Sequence, residues 1–240
     1  MEHSHAPDAI RQRMAAPPRP SYLRDWVYGA IDGGVTTFAV VSGVVGANLT
    51  PRVILILGVA NLLADGFSMA AGNYLATKTE HEQVERIVAR ERRHIEDVPE
   101  GERAEVREIY RRQGLEGEVL ERVVVAITAD RERWIETMLT HEYGVARELR
   151  EPWPSALSTF GAFVLCGTLP LLPFLFGIAR PFQVAAMMTG IAFFAVGALK
   201  SRWSVRSWWR SGLETLAIGA IAAALAYAAG AAIGQVVGTG

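Results

Sequence analysis

The charged residues of this chain are unevenly distributed along its length. Of the 49 Asp, Glu, Lys and Arg residues, 33 lie within residues 78–151, as 14 basic and 19 acidic side chains. The rest of the chain consists of long apolar runs with few charges. A helix that crosses a lipid bilayer needs about 20 predominantly apolar residues, whereas a soluble protein spreads its charges over all its helices. The segregation therefore predicts an all-α membrane protein.

The apolar residues fall into five segments, each long enough to cross a bilayer. They lie at residues 26–47, 52–77, 155–178, 182–199 and 212–236. The second span is predicted to continue as a polar helix, since no Gly or Pro lies between Asn73 and Val98. The rest of the charged segment carries amphipathic patterns that predict a bundle of further polar helices, the last at about 130–148. The N-terminal residues hold four prolines and no apolar run, which predicts a disordered tail. We therefore expect a cytoplasmic tail at 1–25, spans one and two at 26–77, a helical insert at 78–151, and spans three to five at 152–240.

Connections that are rich in Lys and Arg alternate along the chain with connections that carry few of them. The tail through Arg24 carries four of them, the insert fourteen and the connection between spans four and five another four, whereas the other two connections carry one each. Since basic residues are retained on the cytoplasmic side, the N-terminus and the insert are predicted to be cytoplasmic and the C-terminus outside.

Polar residues lie within the first two predicted spans. Asp32 is about six residues into the first span, and Thr36 follows about one turn later. In the second span four side chains recur every fourth residue and share one helix face: Asn61, Asp65, Met69 and Asn73. A charged group at bilayer depth is unfavourable and usually belongs to an ion path. We expect Asp32 and Met69 to lie at similar depth in such a path; the alternative is a structural, hydrogen-bonded pair of helices.

Five glycines line the first predicted span: Gly29, Gly33, Gly34, Gly43 and Gly46. Small residues at this spacing let a second helix approach closely. The pattern is compatible with packing inside one chain, and equally with a homodimer through the first transmembrane helix.

Candidate metal ligands lie in pairs along the predicted helices of the insert. Each pair shares a helix face at a spacing of three or four residues: Glu91 with His94, Glu102 with Glu105, and Met138 with Glu142. Carboxylate, imidazole and thioether ligands together suit Fe(II), Mn(II), Co(II) or Zn(II) rather than calcium alone. Alternatively, because the insert is rich in arginine, its carboxylates are solvated charges that pair with arginines one turn away.

Two stretches in the first two spans resemble a known family of membrane proteins. Residues 32–43, DGGVTTFAVVSG, and residues 63–75, LADGFSMAAGNYL, are similar to the first- and second-span motifs of the vacuolar iron transporter family. The resemblance runs from Arg24 onward and includes the charged insert. It implies a five-span homodimer that exports Fe(II), and in many members Mn(II), from the cytoplasm in exchange for protons. It also implies that Asp32 and Met69 line the ion path at the dimer interface.

The resemblance extends to the insert, where the family's cytoplasmic domain binds metal through glutamates and methionines. The positions that match such ligands are Glu91, Glu102, Glu105, Met138 and Glu142. Three residues depart from the family pattern: His94 stands where a glutamate is usual, Leu139 where a second methionine is frequent, and Asn73 in place of an acidic residue. Because imidazole binds metal only when it is unprotonated, a His94 ligand makes binding more sensitive to pH near neutrality.

Other functions have less support in the sequence. No Walker-type phosphate-binding loop is present, which argues against ATP-driven transport. His141-Glu142 lacks the second histidine of a zinc protease motif and no nucleophile–base set is evident, so no enzymatic activity is expected. The net charge of −1 gives no indication of a nucleic-acid partner. We therefore expect a secondary transporter without a prosthetic group, whose partners are lipid, divalent metal ions and protons; a membrane-anchored metal buffer or sensor is the alternative.

Overall fold

The computed structural model describes residues 4–15, 20–145, 150–203 and 205–238. The α-helices in these residues are α1 (Pro7–Ala15), α2 (Leu23–Gly46), α3 (Pro51–Asp97), α4 (Pro99–Arg112), α5 (Gly117–Thr128), α6 (Arg131–His141), α7 (Pro152–Thr168), α8 (Leu172–Leu175), α9 (Pro181–Lys200) and α10 (Trp208–Gly238). Short 3-10 helices lie at Leu169–Leu171 and Ser201–Trp203. The described residues contain no β-strand, so the predicted all-α fold is confirmed.

Five helical stretches are long and apolar enough to span a membrane. They are Leu23–Gly46, Pro51–Asp97, Pro152–Leu175, Pro181–Lys200 and Trp208–Val236. Each contains most or all of one predicted apolar segment, and the chain is an all-α membrane protein. The third stretch tightens into a 3-10 turn at Leu169–Leu171, where Pro170 lies, before the short α8. Proline lacks the N–H that an α-helix needs, and its ring crowds the preceding turn.

The second spanning helix continues far beyond its apolar part. α3 runs for 47 residues without a break. Pro51 suits its first position, where the backbone N–H would have no partner within the helix. Pro99 begins α4 directly after α3 ends. The sequence predicts this continuous helix, since no glycine or proline interrupts its polar part.

The N-terminal segment that the sequence predicts to be disordered contains one short helix. α1 has no buried residue. Pro7 occupies its first position, Asp8 lies in its first turn and Arg13 in its last, where these residue types favour a helix. The other tail prolines come after Ala15 in the sequence, so none of them lies within α1.

The described residues form two compact units, of which the first contains Ser21–Leu75 and Pro152–Gly240. In this membrane unit α2 is central, because it packs against α7, α9 and α10. The main apolar core consists of Phe38, Val41, Val44, Ile54, Leu62, Phe163, Leu171, Phe174 and Ala185. The first spanning helix therefore packs against three other helices of its own chain.

The glycines of α2 are used for this packing within the chain. A Cβ on Gly33 would overlap the backbone carbonyl of Phe163 in α7. A Cβ on Gly46 would overlap the carbonyl of Tyr227 in α10. Only glycine allows two helix backbones to approach this closely. Of the two arrangements that the glycine pattern allows, the structure contains the intrachain one.

The second unit contains Met1–Pro20 and Ala76–Glu151. In this charged unit the polar half of α3 is joined by α4, α5 and α6. Its core consists of the buried residues Val106, Leu120, Val124, Trp134 and Met138. Ile135 and Leu139 of α6 form a second cluster with Val84 of α3. The amphipathic faces that the sequence predicts for these helices therefore pack together.

The last helix of the charged unit is shorter than the predicted 130–148. Asp130 caps its start, since its side chain accepts hydrogen bonds from the backbone N–H groups of Glu132 and Arg133. The helix ends at His141, and Gly144 follows with a φ of 66°. That left-handed conformation stops a helix and favours glycine. Residues 146–149 of the predicted helix lie outside the described residues.

Candidate metal centre and membrane carboxylates

Three of the predicted metal ligands meet where α3 ends and α4 begins. Glu91 and His94 lie about one turn apart on α3, and Glu102 lies in the first turn of α4. One ligand atom of each lies within 4.8 Å of the others, and His94 Nδ1 is 3.2 Å from Glu102 Oε1. Small side-chain movements would therefore bring all three to the distance of about 2 Å at which protein ligands bind a transition metal.

Both carboxylates of this cluster are almost completely buried. The exposed fractions of Glu91 and Glu102 are 1% and 4%, and in each the Oε2 atom is buried without a hydrogen-bond partner. A buried carboxylate oxygen without a partner is unfavourable, and such groups in a native fold call for an explanation such as a bound ion. His94 is 46% exposed at its side chain and lies on the accessible side of the cluster.

Glu91 is held at its other oxygen by two residues that are not predicted from the sequence. Tyr143 donates a hydrogen bond from its hydroxyl to Glu91 Oε1 at 2.9 Å. The Arg90 guanidinium lies 3.7 Å from the same oxygen and stacks over the Tyr143 ring. Burial, with hydrogen bonds to Glu91 and Glu142, raises the pKa of Tyr143, so its hydroxyl remains a donor. The sequence signal that could have identified them is their position, since Arg90 is next to Glu91 and Tyr143 is next to Glu142.

Glu102 titrates close to neutral pH. Burial, followed by repulsion from Glu105 and Glu91, raises its pKa to about 7, although His94 acts in the opposite direction. A metal ion must displace the proton from a protonated carboxyl group before it binds. Any metal ion that bound Glu102 would therefore have to compete with a proton near neutral pH.

Glu105 and Glu142 lie next to the cluster. Both line a cavity of about 480 Å³ beside the C-terminal end of α6. Burial raises the pKa of Glu142, and repulsion from Glu105 and Glu91 adds to this effect, whereas a hydrogen bond with Tyr143 opposes it. The acidic candidates therefore interact as one group, within which binding of a cation would relieve mutual repulsion.

Met138 is placed differently from the other predicted ligands. It is completely buried in the core of the charged unit, among Val106 and Trp134. In this structure its side chain acts as a packing residue. A role for its sulfur as a ligand would require the core around α6 to rearrange.

Other carboxylates of the charged unit are exposed and pair with arginines, as the alternative to metal binding predicts. Glu121 receives hydrogen bonds from Arg107 at 2.6 and 2.9 Å, which lower the pKa of Glu121. Glu108 receives one from Arg112 at 3.0 Å, and its pKa is lowered for the same reason. Burial and the absence of such a pairing at Oε2 distinguish Glu91 and Glu102 from these surface residues.

We expect Glu102→Gln to change how stability depends on pH when no metal is bound. Because folding raises the pKa of Glu102 from 4.5 to about 7, this group favours the folded state fully below pH 4.5, and that contribution is lost as the pH rises through about 7. Glutamine has no such proton. With a chelator present, the melting temperature of the full-length variant should rise relative to wild type between about pH 5 and about pH 8.

The matched control is Glu118→Gln, which removes a carboxylate whose side chain is 86% exposed. Its melting temperature should follow that of the wild type at every pH. A constant difference between Glu102→Gln and wild type across the pH range would contradict the assignment of the neutral-range titration to Glu102.

In the membrane unit, Asp32 is a partly buried carboxylate within α2. No side chain among the described residues donates a hydrogen bond to its carboxylate; Thr36 donates instead to the Asp32 backbone carbonyl at 2.9 Å. Asp65 of α3 is exposed on the helix surface and close enough to repel Asp32 electrostatically. Two carboxylates inside spanning helices would be stabilised by a shared cation or proton.

The first asparagine of the predicted stripe forms a link between helices. Asn61 donates hydrogen bonds to the hydroxyls of Thr36 and Thr37 at 3.3 and 3.4 Å. Met69, two turns further along α3, packs against the apolar core of the unit. The contact at Asn61 is therefore of the kind expected for the alternative, a structural pair of helices joined by hydrogen bonds.

Asn73 forms a second link between helices. Its amide donates to Asp25 Oδ1 at 3.1 Å, to Thr159 Oγ1 at 2.8 Å and to the Ser155 carbonyl at 3.2 Å. Asp25 is buried with 4% exposed. A glutamate at position 73 would place a second carboxylate against Asp25, whereas the amide supplies the donors that these oxygens need. Asn73 therefore joins α2, α3 and α7.

Comparisons with known proteins cover most of the chain. A model described as the VIT family matches residues 23–231. The chain is 36% identical over 220 residues to "Vacuolar iron transporter 1" of Tulipa gesneriana, covering 89% of this chain and 88% of the relative. It is also 36% identical over 208 residues to "Vacuolar iron transporter 1" of Arabidopsis thaliana, covering 85% and 83%.

A more distant relative matches over a similar extent. The chain is 31% identical over 229 residues to "Vacuolar iron transporter" of Toxoplasma gondii, covering 90% of this chain and 76% of the relative. These relatives are named as transporters, which agrees with the prediction that the chain is not an enzyme. Because the family model and the relatives span both the apolar helices and the charged insert, this chain belongs to the VIT family.

Proposed function

We propose that this protein is a secondary transporter that exports Fe(II), with Mn(II) as a second substrate, from the cytoplasm in exchange for protons. The observation that carries the proposal is Asp32, a partly buried carboxylate in a spanning helix that receives no side-chain hydrogen bond among the described residues. A proton and a metal ion are alternative ways to neutralise such a group in a membrane. The relatives named vacuolar iron transporters support iron as the cargo.

Within the membrane unit we assign different roles to the predicted path residues. Asp32, Asp65 and Met69 form the ion path, in which the carboxylates bind the ion and the thioether supplies a softer ligand. Thr36 supports the path indirectly, since its hydroxyl bonds the Asp32 carbonyl and accepts from Asn61. The hydrogen bonds of Asn73 favour a structural role for that residue.

In the charged unit, Glu91, His94 and Glu102 form a first metal site that collects ions before transport. Buried carboxylate oxygens without partners support this assignment. Glu105 and Glu142 extend the site along the neighbouring cavity. The mixed nitrogen and oxygen ligands suit Fe(II), Mn(II), Co(II) and Zn(II). Because Glu102 titrates near pH 7, metal would bind less tightly as the pH falls.

The distribution of basic residues supports an orientation in the membrane. Short connections rich in Lys and Arg face the cytoplasm, so the N-terminus and residues 78–151 would be cytoplasmic and the C-terminus outside. With this orientation the charged unit samples cytoplasmic metal. We propose the bacterial inner membrane, or the vacuolar membrane in a eukaryotic cell, as the location.

We propose a homodimer whose interface lies on α3 more than on the first spanning helix. The glycines of α2 contact α7 and α10 of the same chain, so this close approach is already used within the chain. α3 instead exposes Leu63 and Phe67 on either side of the exposed Asp65. A carboxylate facing lipid is unfavourable, and a second copy of the chain would cover it.

Transport by purified protein in liposomes tests the proposed function. Fe(II) flux should follow an imposed pH gradient, and addition of Fe(II) alone should drive protons in the opposite direction. Mn(II) should compete with Fe(II) when both are present. Flux that ignores the pH gradient would contradict proton antiport, and metal binding without any flux would favour the alternative of a membrane-anchored buffer or sensor.

We expect Glu91→Gln to weaken metal binding by the full-length protein. Changes that merely disturb the partners of metal ligands lower affinity about 10- to 100-fold, so the loss of a direct, charged ligand should have at least that effect. Calorimetric titration with Co(II) in detergent would measure it. The exposed Glu118→Gln should bind as the wild type does; equal affinities of Glu91→Gln and Glu118→Gln would remove Glu91 from the site.

A further inference from the structure

A cavity of about 960 Å³ lies in the membrane unit, between α2, the end of α9 and the start of α10. Much of its wall is apolar, with Val27, Ile31 and Val35 on α2 facing Ile218 of α10. An apolar wall of this kind inside a group of spanning helices suits a hydrocarbon chain rather than a hydrated ion.

Two cations that have no partner among the described residues line the same cavity. Arg24 lies at the beginning of α2, and Lys200 is the last residue of α9. Neither makes an ion pair or a side-chain hydrogen bond with any other described residue. A third cation in the wall, Arg206, is paired with Glu214 at 3.0 Å. The cavity therefore combines an apolar wall with two positive charges that lack a counter-ion within the described part of the chain.

Arg24 and Lys200 lie at helix ends, whereas the apolar residues of the wall extend away from them. Arg24 and Val35 are separated by about 16 Å along α2, at 1.5 Å per residue. Spanning helices end near the lipid headgroups, and Lys and Arg are favoured there. The positive end of the cavity is thus expected at headgroup level, and its apolar part at acyl-chain level.

The positive charges argue against this cavity as the route of a metal ion. Asp32 is part of its wall, but a divalent cation that entered beside Arg24 and Lys200 would be repelled by both. An anion would instead be attracted by both. The charge and the apolar wall together match a molecule with an anionic head and a hydrocarbon tail.

We propose that this cavity binds an anionic phospholipid. Its phosphate lies between Arg24 and Lys200, and one acyl chain follows Val27, Ile31 and Ile218. The cytoplasmic leaflet is rich in anionic lipids, and basic pockets between spanning helices bind their headgroups. The proposal uses the orientation proposed above, in which both cations are cytoplasmic, and does not depend on transport activity. A bound phosphate would also neutralise the positive charge near Asp32.

Native mass spectrometry of the full-length protein in detergent would test the proposal. The protein is titrated with phosphatidylglycerol, with phosphatidylcholine or with inorganic phosphate, and bound molecules are counted. Phosphatidylglycerol should be retained in preference to phosphatidylcholine. Each Lys or Arg near an anionic lipid surface strengthens binding about five-fold. Arg24→Gln with Lys200→Gln should therefore bind phosphatidylglycerol about thirty-fold more weakly.

Two further variants separate lipid binding from misfolding and from total charge. Arg24→Lys with Lys200→Arg keeps both charges and should keep binding. Arg52→Gln with Arg180→Gln removes the same charge at the two connections predicted to lie outside, and should also keep binding. Equal retention of both lipids, unchanged binding by the double glutamine variant at positions 24 and 200, or displacement of phosphatidylglycerol by inorganic phosphate would overturn the proposal.

Discussion

Replacement of Asp32 by Asn is expected to abolish Fe(II) transport, with flux into proteoliposomes reduced to that of protein-free liposomes. Asparagine has nearly the shape of aspartate but neither the negative charge nor the exchangeable proton. In the membrane interior a divalent cation needs a compensating charge. The same change therefore removes both the metal ligand and the proton carrier that the proposed exchange requires.

The result can be separated from a folding defect. Glu118→Gln makes the same chemical change at an exposed residue of α5 and should transport as the wild type does. Asp32→Glu retains the charge on a longer side chain and should recover part of the flux. Full flux by Asp32→Asn in protein that elutes as the wild type does would exclude Asp32 from the ion path.

Replacement of Gly33 by Ala is expected to destabilise the membrane unit. The added Cβ would overlap the backbone carbonyl of Phe163, and a backbone cannot move aside as a flexible side chain can. Overpacking of a well-packed core reduces stability by about 1–3 kcal/mol. The melting temperature in detergent should fall, and less monodisperse protein should be recovered.

Gly161→Ala provides a matched control on the partner helix of this contact. It is also a glycine within a spanning helix, but a Cβ there would meet nothing within 4 Å. Because alanine favours a helix more than glycine does, this variant should be as stable as the wild type or slightly more so. If Gly33→Ala melted at the same temperature as Gly161→Ala, the close packing of α2 on α7 would be contradicted.

The fold could be predicted to a large extent because its strongest signals are local. Five apolar runs predict five long helices, since the length of a run and its lack of charge do not depend on distant contacts. The starts of α3 and α4 follow from Pro51 and Pro99. The helix α1 was not predicted, because prolines dominate the composition of the tail while the signals that favour this helix are confined to nine residues.

The candidate sites could be predicted only in part. Spacing along one helix predicts that Glu91 and His94 share a face. Glu102 is also a predicted ligand, but only the structure shows that it meets these two residues. The same type of spacing selects Met138, which lies in the core instead. Periodicity identifies the residues that share a helix face, but the packing of other helices determines whether that face is accessible.

The sequence by itself determined that this chain is an all-α membrane protein with a charged helical insert, because hydrophobic length and charge are properties of the residues along the chain. Tertiary structure alone decided which of the many acidic residues are separated from water. Glu91 and Glu102 are buried, whereas Glu121 is paired with Arg107 at the surface. Contacts between residues distant in sequence produce this difference, since desolvation depends on every neighbouring helix.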